Sequence, residues 1–265
     1  MDYYTNTHPL LDIRHIDVCY NGIPAVEDVS LTVRPGEILG IVGESGSGKS
    51  TVIRAAMGLL GGSGMVTKGD IYYKGINIPD ADPKMLRSLR GAEMGMIFQN
   101  AGASLSPIRT IGDQMFESVR AHERISREEA DARAVDLFAR IRLEDGERVL
   151  ESYPFELSGG MNQRVGIVMA MLLKPDLLFA DEPTSALDVT VQAQVVEELL
   201  ALREAFGTAI IIVSHNIAVI EKMADTIAVM HHGKLVEYGP VQEVIRHPKE
   251  DYTKQLLGAV LRLQR

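Results

Sequence analysis

The sequence predicts an α/β fold whose core is a parallel sheet covered on both faces, and three observations predict it. The apolar run Ile38-Leu39-Gly40-Ile41-Val42 leads directly into a glycine-rich loop and then a helix-compatible stretch. Farther on, Leu177-Leu178-Phe179-Ala180, a helix with Val191, Val195 and Leu199 four apart, and Ala209-Ile210-Ile211-Ile212-Val213 alternate strand, helix, strand. Short, wholly apolar strands separated by amphipathic helices mark strands buried on both sides. Third, the character of the chain changes after Gln99, and residues from about 100 to 172 read as helices inserted between the two halves of one core.

Taken in order, residues 10–35 alternate apolar and polar in short runs, with Leu31-Thr32-Val33 ahead of Pro35-Gly36, and Ile71-Tyr72-Tyr73 precedes Lys74-Gly75. These are strands and turns of a sheet beside the core. The loop Gly43-Glu44-Ser45-Gly46-Ser47-Gly48-Lys49-Ser50 fits G-x-x-x-x-G-K-[ST], and a helix is expected from Lys49 to about Leu60, carrying Val52, Ile53, Ala55, Ala56 and Met57. The glycines let successive N–H groups face the α- and β-phosphates of a nucleoside triphosphate. Lys49 reaches the β/γ oxygens, the Ser50 hydroxyl suits Mg²⁺, and the helix N-terminus faces the same anion. The competing reading of the loop is a tight turn, and its strand-loop-helix context argues against that. Within the helical insertion, Ser126-Arg127-Glu128-Glu129 is a capping box opening a charged helix with Ala130, Ala134, Leu137 and Phe138 on one side. Its charges read as a solvated face. Asp181-Glu182 end a core strand, where ligands of an open α/β sheet bind. Alone such a pair is a cap or a solvated turn. Beside a phosphate loop, Asp181 suits Mg²⁺, directly or through water, and Glu182 suits polarising a water for phosphoryl transfer.

The 265 residues carry 27 Lys and Arg against 36 Asp and Glu, a net charge of −9, which argues against a general nucleic-acid or anionic-lipid surface. The single cysteine, Cys19, excludes an internal disulfide, fits a reducing cytoplasm and reads as a buried strand residue. Residues 1–4 lack the pattern of a secretory leader, and no apolar stretch approaches the ~18 residues of a spanning helix, so any membrane link is expected through a partner.

With Leu157-Ser158-Gly159-Gly160-Met161-Asn162-Gln163-Arg164 the chain resembles the ATP-binding subunit of ATP-binding-cassette transporters over roughly residues 12–240. The resemblance implies an antiparallel β subdomain and an inserted α-helical subdomain on the phosphate-loop core, with 1–240 as the ATPase domain and 241–265 as a short tail. It implies that Tyr20 stacks on adenine and that Gly43, Ser45, Gly46, Ser47, Gly48, Lys49, Ser50 and Thr51 cradle phosphate. Ser50, Gln99 and Asp181 would serve Mg²⁺, Glu182 would activate water, and His215 would sense the γ-phosphate. Ser158, Gly159 and Gly160, as the signature, would serve ATP held by a partner subunit, and Ser185-Ala186-Leu187-Asp188 would form the D-loop. Each has a plainer alternative: Tyr20 as a core aromatic, Ser158 as a helix N-cap, His215 as a capped strand end.

The phosphate loop, the stretch Ala180-Asp181-Glu182-Pro183-Thr184-Ser185 and Val236-Glu237-Tyr238-Gly239-Pro240 are similar to the importer group for peptides, nickel and metal-chelating opines. Three departures stand out: Asn100-Ala101-Gly102 after Gln99, Asn216 after His215, and Pro248-Lys249-Glu250-Asp251-Tyr252-Thr253 in the tail. The sequence ends soon after that tail, and no iron–sulfur site is expected. The resemblance implies a head-to-tail dimer with a related ATPase chain, two integral membrane permease subunits, an extracytoplasmic binding protein, and work at the cytoplasmic face of the membrane. The rival reading is a soluble cassette ATPase acting on DNA or ribosomes. Such proteins generally carry a coiled coil, a zinc module or tandem cassettes.

Overall fold

The computed structural model describes residues 8–185 and 187–263. It forms two compact units, one made by the described parts of Met1–Arg87 and Ala209–Arg265, the other by Ser88–Thr208. In chain order the first unit begins with β1 (Leu11–Tyr20), β2 (Ile23–Val33), β3 (Ile38–Val42), α1 (Lys49–Ala56), β4 (Gly64–Tyr73) and β5 (Ile76–Asn77), and α2 (Pro83–Leu89) follows. The second unit carries β6 (Met94–Ile97), α3 (Ala101–Ser104), α4 (Ile111–Arg120), α5 (Arg127–Arg140), α6 (Gly146–Glu151), α7 (Gly159–Met171), β7 (Leu177–Asp181) and α8 (Val189–Phe206). The chain then returns to the first unit with β8 (Ala209–Val213), α9 (Ile217–Met223), β9 (Thr226–His231), β10 (Lys234–Pro240), α10 (Val241–Arg246) and α11 (Asp251–Leu263).

Two sheets organise the first unit. β1 pairs antiparallel with β2 and β4, and β5 pairs antiparallel with β4. In the other sheet β3 lies between β8 and β9, parallel to both, and β10 runs antiparallel along β9. Every residue of β3 and β8 is buried, as wholly apolar runs require when both faces are covered. α9 comes so close to β3 that a Cβ built on Gly40 would lie 2.4 Å from Ile220 Cγ2, so only glycine fits there. α1 is shorter than the sequence suggests: it stops at Ala56 instead of near Leu60 because Gly58 takes a left-handed backbone, φ +64°, that unwinds the last turn. Cys19 lies on β1 but is half-buried, where the sequence read it as buried, because it sits near the strand's end.

In the second unit β6 and β7 pair in parallel. The capping box forms as expected, with Ser126 Oγ accepting from Glu129 N–H and the Glu129 carboxylate from Ser126 N–H, and Ala130, Ala134, Leu137 and Phe138 are the buried face of α5. Asp188 caps α8 by accepting from the N–H groups of Thr190 and Val191, both at 3.0 Å. Gly207, φ +69°, ends that helix. Among the described residues no helix is long and apolar enough to cross a membrane.

Candidate functional site

The first unit holds the phosphate loop. Gly43 has φ +150°, and a Cβ there would lie 2.1 Å from the Met230 carbonyl oxygen, so the turn out of β3 needs a residue without a side chain. Lys49 is 5% exposed, and its ammonium donates to the carbonyls of Gly43 at 2.9 Å and Glu44 at 2.7 Å. Gly48 stands at the N-cap of α1, and no side chain caps that helix. A helix N-terminus of this kind, with its N–H dipoles pointing at the loop, suits an anion such as phosphate. Ser47 is buried, whereas Ser45 and Gly46 are exposed, and Ser50 and Thr51 occupy the first turn of α1.

Strand register brings His215 to this loop's end of the sheet. Ile41 pairs with Val213 in the parallel β3–β8 ladder, so positions two residues farther on, 43 and 215, stand level. Ser214 N–H donates to the Ile41 carbonyl at 3.2 Å and the Ser214 hydroxyl accepts from Asn216 N–H at 3.0 Å, which fixes the turn carrying the exposed His215. Asn216, unusual beside the resemblance, caps α9 through Ala218 N–H at 3.1 Å, a task aspartate performs equally. Tyr20 ends β1 with its ring across Gly64, whose hypothetical Cβ would approach Tyr20 Cε1 to 2.7 Å. The Tyr20 hydroxyl is buried with no hydrogen-bond partner among the described residues.

The second unit holds the carboxylates, and the same register logic joins them to Gln99. Ile97 pairs with Ala180, so 99 and 182 stand level beyond the strand ends, and Gln99 Nε2 donates to Glu182 Oε2 at 3.3 Å. Asp181 closes β7, and Glu182 follows with φ +49°, a left-handed backbone costly for a residue with a side chain. Strain of that kind at the tip of a core strand aims a side chain. Ser158 caps α7 by accepting from Met161 N–H at 3.3 Å. Ser158 and Gly159 are exposed and a Cβ on Gly159 would meet nothing, so the N-cap reading and an accessible helix N-terminus coexist. In the segment expected as the D-loop, Ser185 N–H donates to the Glu182 carbonyl and Leu187 N–H to the Thr184 carbonyl, while Ala186 lies outside the described residues.

Sequence reasoning missed one charged pair in this unit. Arg164, on α7, sits 2.6 Å from Glu198 on α8, with side chains only 15% and 8% exposed. Arg164 also donates to the Ile141 carbonyl. Burial pushes the Glu198 carboxyl up to about 7, against the pull of the Arg164 charge in the other direction. The pair ties the helix that begins at Ser158 to the helix that begins beyond Asp188. Among the described residues no three His, Cys, Asp or Glu side chains cluster as a metal cage. Ser50 in the first unit and Asp181 in the second each carry a hard oxygen of the kind Mg²⁺ prefers.

The family model described as ABC transporter matches residues 26–185. A probable D,D-dipeptide transport ATP-binding protein of Escherichia coli K12 is 45% identical over 256 residues, 95% of this chain and 78% of that protein. An oligopeptide transport ATP-binding protein of Haemophilus influenzae is 40% identical over 263 residues, 97% of this chain and 80% of that one. Among solved structures, a dimeric ATP-binding cassette in a post-hydrolysis state bound to ADP and Pi superposes with TM-score 0.76 at 28% identity, covering 87% of this chain and 98% of the other. A Clostridium perfringens protein, part of an ABC transporter complex, gives TM-score 0.79 at 25% identity over 97% and 96% of the two chains.

Proposed function

The chain belongs to the ABC transporter family, and from that premise we propose that it is the ATP-hydrolysing subunit of a peptide importer, acting as one of two cassettes on membrane permease subunits. The observation that carries this reading is the phosphate loop: a buried Lys49 ammonium held on loop carbonyls at the first turn of α1. Relatives 40–45% identical carry dipeptide and oligopeptide transport names, which favours peptide cargo over the nickel and chelate alternatives.

Residues 43–51 hold the phosphates of this chain's own ATP, with Lys49 on the β/γ oxygens, and Tyr20 stacks on adenine. Ser50, Gln99 and Asp181 would serve Mg²⁺, which when bound would supply charge neutralisation to the transferring phosphoryl group. Glu182 accepts a proton from the attacking water, and the Gln99 contact at 3.3 Å holds that carboxylate in place. His215 senses the γ-phosphate from the end of β8. Ser158, Gly159 and Gly160 present an accessible helix N-terminus to the ATP of a head-to-tail partner, a related ATPase chain. Closure of the pair drives two integral membrane permease subunits from the cytoplasmic face, cargo arriving through an extracytoplasmic binding protein. Phe98, beside Gln99 in sequence, and Ile108 in the loop that follows α3 are apolar side chains left 48% and 84% exposed, and they supply contact to those subunits.

Affinity purification from membranes tests the reading. Recovery of two polytopic membrane proteins, a second cassette ATPase and MgATP hydrolysis is the expected outcome. Recovery of nucleic acid or ribosomes in their place would overturn it.

A further inference from the structure

The tail segment 248–253 departs from the importer pattern in sequence, and in the structure it reaches the phosphate loop. The buried Glu237 carboxylate on β10 accepts from Lys249 N–H at 2.8 Å and Glu250 N–H at 3.2 Å, which fixes the chain immediately before α11. Tyr252, in the first turn of α11, then stacks on His231 at the end of β9, with centroids 3.8 Å apart and planes 18° from parallel. Its hydroxyl accepts from Glu44 N–H at 3.1 Å. Burial holds the Tyr252 hydroxyl above its ordinary value, so it is neutral and protonated at pH 7.

The contact falls on a sensitive peptide. The Glu44 carbonyl accepts from the Lys49 ammonium at 2.7 Å while the Glu44 N–H donates to Tyr252, so the residue that anchors the catalytic lysine is held from the other side by the tail. The segment bearing His231 grips the same loop: the Met230 carbonyl crowds Gly43, and Gly233 N–H donates to the Ser47 carbonyl at 3.1 Å. Tyr252 therefore closes a brace around residues 43–47. A backbone donor on an exposed loop with a fixed acceptor is preorganised, and a preorganised loop binds its ligand without first being ordered.

We propose that Tyr252 is a positioning residue of the phosphate loop, and that docking of the C-terminal helix through its ring and hydroxyl sets the affinity for MgATP. This rests on the reading of residues 43–51 as the ATP site. In the full chain, Tyr252→Phe keeps the ring on His231 and removes the acceptor of Glu44. Amide hydrogen exchange at Glu44, measured without nucleotide on short peptic fragments, should accelerate, and the KM for ATP should rise about threefold to tenfold with kcat within about twofold. Tyr252→Ala should raise KM further. Glu44→Pro deletes the donor, so adding Tyr252→Phe to it should change KM by less than about twofold. Unchanged exchange at Glu44 overturns the contact, and unchanged KM overturns the dependence of ATP binding on it. A fall in kcat with KM unaltered overturns the positioning role as well. Lys49→Ala separates this from the reading beneath it: a Lys49→Ala chain that binds ATP as tightly as the parent refutes the ATP site itself, whatever Tyr252 does.

Discussion

Between about pH 5.5 and 8 the chain should lose stability through one carboxylate, Glu198, and replacing it by glutamine should abolish that loss. The folded protein holds Glu198 at about 7, against an ordinary 4.5, with burial as the larger cause and Arg164 as the opposing one. The sign follows from which state keeps the proton. In this window the folded chain retains a proton that the unfolded chain has released, so stability is fully present below about 4.5 and falls as the pH rises through about 7. At about 1.4 kcal/mol for each tenfold change in proton affinity, the displacement is worth about 3 kcal/mol in full, of which about 2 kcal/mol falls between pH 5.5 and 8. Arg127 and Arg133 hold the carboxyls of Asp113 and Glu123 below their ordinary values, so those two add nothing to the loss above pH 5.5. Chemical unfolding followed by circular dichroism at several pH values, for the parent and Glu198→Gln, gives the difference directly. The margin of Glu198→Gln over the parent should widen by about 2 kcal/mol between pH 5.5 and pH 8. A difference independent of pH, or one in which glutamine becomes the worse residue as pH rises, would show that the attraction of Arg164 outweighs burial and would refute the argument.

Three further outcomes are expected. Glu182→Gln should abolish ATP turnover while MgATP binding persists, because the loop contacts remain, and near-normal hydrolysis measured by phosphate release counts against Glu182 as the base. Tyr20→Ala should weaken ATP and GTP alike by roughly 1–3 kcal/mol, since stacking reads a π-face, whereas Tyr20→Phe should bind as the parent because the hydroxyl has no partner among the described residues; equal losses for both, by titration calorimetry, would place Tyr20 in the core. In the reconstituted pair, Lys49→Ala should prevent photo-crosslinking of an ATP analogue to this chain, while Ser158→Arg should leave that labelling and impair closure over the partner's nucleotide; loss of this chain's labelling in Ser158→Arg, with its circular dichroism intact, refutes the head-to-tail arrangement.

Much of the fold was legible because its central strands are extreme. β3 and β8 are wholly apolar and wholly buried, and their bounds in the structure coincide with the apolar runs 38–42 and 209–213. α1 was overextended because Leu59 and Leu60 suit a helix while Gly58, the residue that stops it, carries its instruction in backbone freedom. The Arg164–Glu198 pair did leave a signal. Glu198 follows Val195 by three on the same face of α8 as Leu199 and Leu202, and a carboxylate on a buried stripe calls for a charged or protonating partner. What the sequence withheld was the partner, because Arg164 lies on another helix.

The site residues were legible as types and illegible as neighbours, and parallel pairing explains both. A parallel ladder carries every strand in the same direction, so residues that follow two paired strands by the same count arrive together however distant they are in sequence. Val213 against Ile41 delivers His215 level with Gly43, and Ala180 against Ile97 delivers Glu182 to Gln99. Nothing local to Gln99 marks it as a partner of Glu182; the ladder alone does so. A slip of one residue in the β6–β7 register would invert the faces of Leu177, Leu178, Phe179 and Ala180, all buried. The apolar packing of β7 therefore also holds the two polar groups 3.3 Å apart. Tyr252 reaches Glu44 by a different route, through a buried carboxylate on β10 and a ring stacked on β9. That contact depends on side chains from three separate strands and helices, and no periodicity in the tail could have announced it.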